Sequence, residues 1–320
     1  MRDAYLKALR FAAFCIWLGA LTATAHAQSQ GSWTMKAPTP LARNEVAVAA
    51  VGGKVHVIGG IVKGVAGTYH DEYDPATDRW RTRAPLPHGL DHVGTAVLNG
   101  KIYTVGGFVG SVHKDAQPHV LEYDPAADVW RSLSPLKSGL GSVGVTSLDG
   151  KISAIGGRTP AGQTVATHQV YDPATNTWSE RAPLPKARDH IALFATEGKI
   201  HAIGGRFEAS SEKTDMHDIY DPATNSWTSG QPLPTARSGL AYTLYQGLIL
   251  VIGGELPPNT FAENEAYDPK TKSWRTLAPM PGGRHGTAAA TTGGRVYIAA
   301  GSLKPGAGHV TDQLIVFTLP

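Results

Sequence analysis

"YDPATDRW", residues 73–80, returns as "YDPAADVW" at 123–130, "YDPATNTW" at 171–178, "YDPATNSW" at 220–227 and "YDPKTKSW" at 267–274. One copy reads as a turn, because Pro presets φ and Asp can bond the backbone that follows it. Five copies make a repeat architecture, and a repeat changes how every other residue is read.

The repeat can be measured outward from its tryptophan. Trp33, Trp80, Trp130, Trp178, Trp227 and Trp274 are 47, 50, 48, 49 and 47 residues apart. Ten residues after each Trp come Arg43, Leu90, Leu140, Arg188, Arg237 and Arg284. Sixteen further on stands a glycine pair, which in the sixth unit is Ala300-Gly301. Only the step from the pair to the tyrosine varies, from 13 to 16 residues, and Phe317 takes the sixth tyrosine position. All length variation is therefore confined to one segment.

Within each unit, two β runs flank a two-residue turn such as Asn99-Gly100, where Gly supplies the positive φ of a tight hairpin. A third run ends in Asp-Pro and a fourth carries the Trp. Each unit reads as a four-stranded antiparallel meander, with strands a to d. The first strand always has a small residue at one position: Ala47, Gly94, Gly144, Ala192, Ala241 and Ala288. That is what strands crowded around an axis require. Sheets that cannot bury both faces alone can do so packed in a ring. The chain opens on a lone d strand, "SWTM", and closes on a c strand, "DQLIVFTLP". The expected fold is all-β: a six-bladed β-propeller over residues 28–320, closed by the N-terminal strand joining the last blade.

Glycine pair, Tyr and Trp in units near 50 residues resemble the Kelch repeat, over residues 32–320. The resemblance implies a propeller of four-stranded Kelch blades and says less about chemistry, since such propellers serve as binding platforms and as enzymes. Kelch-type copper radical galactose oxidases need a Tyr–Cys crosslink. The only cysteine here, Cys15, lies in a leader-like segment, so that chemistry is not expected. Sialic-acid mutarotases, which act on an acidic sugar without cofactor, are the enzyme-class alternative that the resemblance implies.

Residues 1–27 read as a secretory signal peptide: a basic start, an apolar core and "AHA" before Gln28. The expectation is an exported protein, periplasmic or extracellular, with no membrane span in the mature chain. An exported chain does not fit the intracellular ubiquitin-ligase adaptors among Kelch proteins. No Asn-x-Ser/Thr sequon occurs, which favours a bacterial type. A net charge of +3 without basic runs argues against nucleic acid. A closed ring exposes no sheet edge that forces association, so a monomer is expected.

The d–a and b–c connections share one face, and it holds the only variable loop. That face is the expected binding surface. The residues placed at its mouth are Arg43, Arg188, Arg237 and Arg284 at the start of strand a, then Asp91, His92, Asp189, His190 and His285. Phe108, Arg158, Arg206 and Glu255 follow the glycine pairs. Guanidinium forks suit carboxylates, and the resemblance implies arginines at this position binding acidic ligands. The alternative is that each arginine braces its blades through a neighbouring acid. Phe108 is a candidate for stacking on a sugar. Asp91 and Asp189 are read as salt-bridging groups, with acid–base chemistry as the alternative. His92, His190 and His285 stand on alternate blades, too far apart for one ion, so neither metal nor cofactor is expected. His56, His70, His113, His119, His168, His201 and His217 are expected to face solvent. The function expected is ligand binding at this face, the ligand being a carbohydrate, an acidic small molecule or a peptide.

Overall fold

The computed structural model describes residues 30–110, 113–208, 212–306 and 308–320. The signal-peptide assignment lies outside them. Among the described residues every regular element is a strand, and no helix is long and apolar enough to cross a membrane. Six four-stranded antiparallel sheets form the ring. Blade 1 runs through Ala47–Val51, Lys54–Ile58, His70–Asp74 and Arg79–Thr82, and blades 2 to 5 repeat this order. Blade 6 takes three strands from Ala289–Thr292, Arg295–Ala299 and Leu314–Thr318, and its fourth from Ser32–Lys36. Ser32 pairs with Thr318 and Lys36 with Leu314, so the ring closes as the sequence implied.

The quoted repeat explains the spacing. In "YDPATDRW" the Tyr73 hydroxyl donates to Asp78 Oδ1 at 2.6 Å, and the same oxygen accepts the Ala37 N–H of blade 6 at 3.0 Å. Tyr123–Asp128, Tyr171–Asn176 and Tyr220–Asn225 repeat the contact. Each Trp indole N–H donates to a carbonyl of the preceding blade, from Trp80 to Ala37 round to Trp33 and Ala278. The turn is thus both a hairpin and a blade-to-blade joint. Tyr and Trp also pack as ring pairs about 5 Å apart beside the interblade core.

The glycine pair makes a second joint on the other face. The second glycine's N–H reaches the carbonyl of the residue opening the next strand a, from Gly60 to Leu90 through to Gly301 and Arg43. Both glycines take positive φ, and a Cβ at Gly106 would lie 2.0 Å from the Leu140 carbonyl oxygen. The small positions of strand a are equally tight: a Cβ at Gly94 would meet Val145 at 2.2 Å. The a strands enclose a central cavity of about 400 Å3.

Candidate functional site

The four strand-a arginines are turned away from solvent. Their side chains turn into their own blades and are almost completely buried. Arg43 Nη1 donates to Asp71 at 2.8 Å, Arg188 Nη1 to Asp218 at 2.6 Å and Arg237 Nη1 to Glu265 at 2.5 Å, while Arg284 Nη2 donates to the Gln313 amide oxygen at 2.5 Å. A second nitrogen of each donates to a strand-b or adjacent carbonyl, such as Val57 for Arg43. The expected basic half-rim is corrected to internal bracing. Burial lowers all four guanidinium pKa values, that of Arg284, which has no carboxylate partner among the described residues, to about 10. Phe108 is likewise buried, its ring filling the space against Gly141 and His92, so no face remains for a sugar.

The residues two positions beyond those arginines, and beyond Leu90 and Leu140 in the same column, line the mouth of the cavity: Glu45, His92, Ser142, His190, Gly239 and Gly286. All six have left-handed backbones, with φ between 49° and 65°. Successive ones are joined by N–H···O=C bonds, Gly239 to His190, His190 to Ser142, Ser142 to His92, His92 to Glu45 and Glu45 to Gly286. These five bonds, running from Gly239 round to Gly286, frame an iris at the head of the channel. Just outside it, the residue before each iris position bridges the residue after the glycine pair: Asp91 with Phe108, Gly141 with Arg158, Asp189 with Arg206, Ser238 with Glu255, His285 with Ser302. That bridge is why Arg158, Arg206 and Glu255 flank the mouth beside Asp91, Asp189 and His285.

The side chains there form one ionic circuit. Asp91 Oδ1 is 2.5 Å from His92 Nδ1, and His92 Nε2 is 2.9 Å from Glu45 Oε2. His285 Nδ1 lies between Glu45 at 3.8 Å and Glu255 at 3.5 Å. Arg206 stands 3.7 Å from Glu255 and donates through Nε to Asp189 at 2.9 Å; Asp189 in turn contacts His190 Nδ1. Arg158 lies 3.6 Å from Asp189. His92, held between two carboxylates, is pushed up to about 10 despite its burial. Burial raises Glu45, but the imidazoles of His92, His285 and His190 outweigh it and hold the carboxyl well below the usual range. Burial, with Arg206 beside it, lowers His190 to about 4. Among the described residues, Asp91 Oδ2 and Ser238 Oγ are buried at this end without a hydrogen-bond partner.

The histidine expectations also change. His56, His70, His168, His201 and His217 are buried, not solvent-facing. His56 Nδ1 meets His70 Nε2 at 2.9 Å and His201 Nδ1 meets His217 Nε2 at 2.8 Å, each pair packed under the next blade's Tyr and Trp. His113, on the b–c loop of blade 2, leans over the mouth to within 4.8 Å of His92 and 5.3 Å of His190, ring centre to ring centre. His92 and His190 approach to 5.1 Å because the intervening blade offers only Ser142 between them. The expectation that mouth histidines stand too far apart fails for these two. His113 was expected to face solvent, and Glu45, which stands in the same mouth column as His92 and His190, was not singled out as a binding residue. Glycine at two of the six iris positions was the available signal for Glu45, since it marks a column with positive φ.

The model of the KLHDC2/KLHL20/DRC7 Kelch-repeats domain matches residues 142–320, more than half the chain, and the Kelch motif matches residues 91–137. The chain belongs to the Kelch-repeat family. No curated protein matches this Kelch propeller. Among solved structures, one titled "Structure of YjhT" has the same fold, with a TM-score of 0.75 at 18% identity, covering 88% of this chain and 96% of that one. Kelch propellers are generally interaction modules, and in this one the mouth gathers the ionisable groups.

Proposed function

We propose that this Kelch propeller is an exported binding module that takes a polar small ligand, a carbohydrate above all, at the mouth of its central cavity. One observation carries the reading. Glu45, His92, Ser142 and His190 occupy backbone positions that Gly239 and Gly286 fill without strain. A non-glycine residue held there costs on the order of 1–2 kcal/mol. Four such side chains around one opening point to a use for the side chains themselves. The mouth lining mixes an acceptor (Glu45) with groups that can donate or accept (His92, Ser142, His190), which suits hydroxyl groups that both give and accept hydrogen bonds. With the strand-a arginines and Arg206 buried, support for a strongly acidic ligand is reduced to the half-buried Arg158. A glycan array tests this. Selective capture by the native chain is expected, with loss in Glu45→Gly, which removes the carboxylate without straining the backbone; equal capture by both overturns the reading.

A second reading, a cofactor-free carbohydrate enzyme of the mutarotase kind, is favoured by the Glu45–His92 contact, which puts a base and an acid in one site. Efficient proton transfer wants pKa values near the working pH. His92 at about 10 and Glu45 far below suit fixed charges better, which ranks this second. Proton NMR of freshly dissolved sialic acid is the check, and unaccelerated anomer exchange rejects it. Export rests on the leader at residues 1–27. N-terminal sequencing of secreted protein is expected to begin at Gln28, and an intact Met1 in the mature protein contradicts it.

A further inference from the structure

We propose that His92, His113 and His190 form a three-imidazole site for a divalent transition-metal ion at the mouth of the channel. One ligand atom from each lies within 4.8 Å of the others. A tetrahedral Zn2+ with Zn–N of about 2.0–2.1 Å brings such nitrogens to about 3.4 Å. The remaining movement falls to His113, which stands on a loop rather than a strand. The other two rings are oriented already. Asp91 holds His92 Nδ1 and Asp189 holds His190 Nδ1, which leaves Nε2 as the ligating atom of each ring, now engaged by Glu45 on His92 and by Ser142 and Arg206 on His190. A carboxylate behind each imidazole is the arrangement that fixes metal-binding histidines and makes them better ligands.

Charge favours the same occupant. With His92 carrying a proton between Asp91 and Glu45, the wall sets Glu45, Asp91, Asp189 and Glu255 against Arg158, Arg206 and His92, a formal excess of one negative charge that becomes two when His92 gives up that proton. A dication balances it. Arg206 also shows that a positive group is accommodated there, since its Nη2 lies 3.2 Å from the Nε2 atoms of both His113 and His190. A metal ion takes those two lone pairs, and Arg206 keeps its Nε bond to Asp189. His92 releases to solvent the proton it shares with Glu45. Glu45 Oε2, 2.9 Å from His92 Nε2, can then supply a fourth donor or leave that position to water or to an oxygen of a bound molecule. Three imidazoles with an open fourth position suit Zn2+.

Calorimetric titration of the chelator-treated mature chain with zinc chloride alone tests this. One ion per chain is expected. His113→Ala, a loop substitution checked for unchanged melting, is expected to abolish that binding. Asp189→Asn is expected to weaken it about 10–100-fold, as loss of an orienting carboxylate does. Cobalt loading gives a second readout: the ligand-field absorption of nitrogen-bound Co2+ should appear in the native chain and vanish in His113→Ala. No stoichiometric binding, or a His113→Ala titration matching the native one, overturns the proposal. No organic ligand enters the experiment, so its failure leaves the carbohydrate reading standing, and the reverse also holds.

Discussion

Arg188 sits at the start of strand a in blade 4, fully buried, with its Nη1 on Asp218 and Nη2 on the Ala202 carbonyl. Replacing it with Ala leaves Asp218 buried without its cation, a change that costs about 3–5 kcal/mol. Urea unfolding of Arg188→Ala is expected to show that loss. The paired change Arg188→Leu with Asp218→Leu copies what blade 2 already has, since Leu90 and Leu121 fill the same two positions, both buried. It is expected to recover most of the loss, because a buried ion pair is often no better than apolar residues of similar volume. This bracing was legible in the sequence. The column two before the repeat tyrosine reads Asp71, Leu121, Gln169, Asp218 and Glu265, acidic wherever strand a of those blades opens on Arg and uncharged where it opens on Leu. Reading the arginines alone put them on the rim; reading the two columns together puts them inside. Glu45 and His113 were harder to see. One depends on a backbone angle that a single residue letter does not display, and the other on how far a loop leans.

Strands b and c carry a pH response. In blades 1 and 4 the two histidines at their junction are buried and neutral, with His56 lowered to about 3, His70 to about 4, His201 to about 3 and His217 to about 4, by burial first in every case. An unfolded histidine titrates near 6.5. Above that pH both states hold these rings neutral and the stability is fully present. Between about 6.5 and 4 the unfolded chain binds protons that the folded chain does not, so stability falls as pH falls. Blade 5 dispenses with the pair, using Leu250 and Asn264, whose amide still reaches the Ala278 carbonyl at 3.3 Å. His201→Leu with His217→Asn is therefore expected to shrink the difference between urea midpoints at pH 7 and pH 5. An unchanged difference contradicts the assignment. These histidines looked solvent-facing in the sequence because strand alternation does not tell which side meets a neighbouring blade until the ring is assembled.

The whole molecule is held by two circles of blade-to-blade hydrogen bonds, the Trp indoles on the turn face and the glycine N–H groups on the loop face. Ser32–Lys36 closes the first through Trp33 and completes the last blade along five residue pairs. Deleting residues 28–36 is expected to lower the melting temperature sharply and broaden the transition; unchanged melting contradicts the closure. This level was the most legible, since a period measured to within a few residues and two complementary half-units leave few other ways to bury six sheets. On the proposed reading, what specialises on that frame is the iris, while the buried arginines brace the blades beneath it. Ligand capture from a glycan array, measured side by side on the Arg188→Leu/Asp218→Leu and Glu45→Gly chains, tests this division most directly. The account predicts capture retained in the first and lost in the second. Capture lost in a folded Arg188→Leu/Asp218→Leu chain but kept in Glu45→Gly contradicts it.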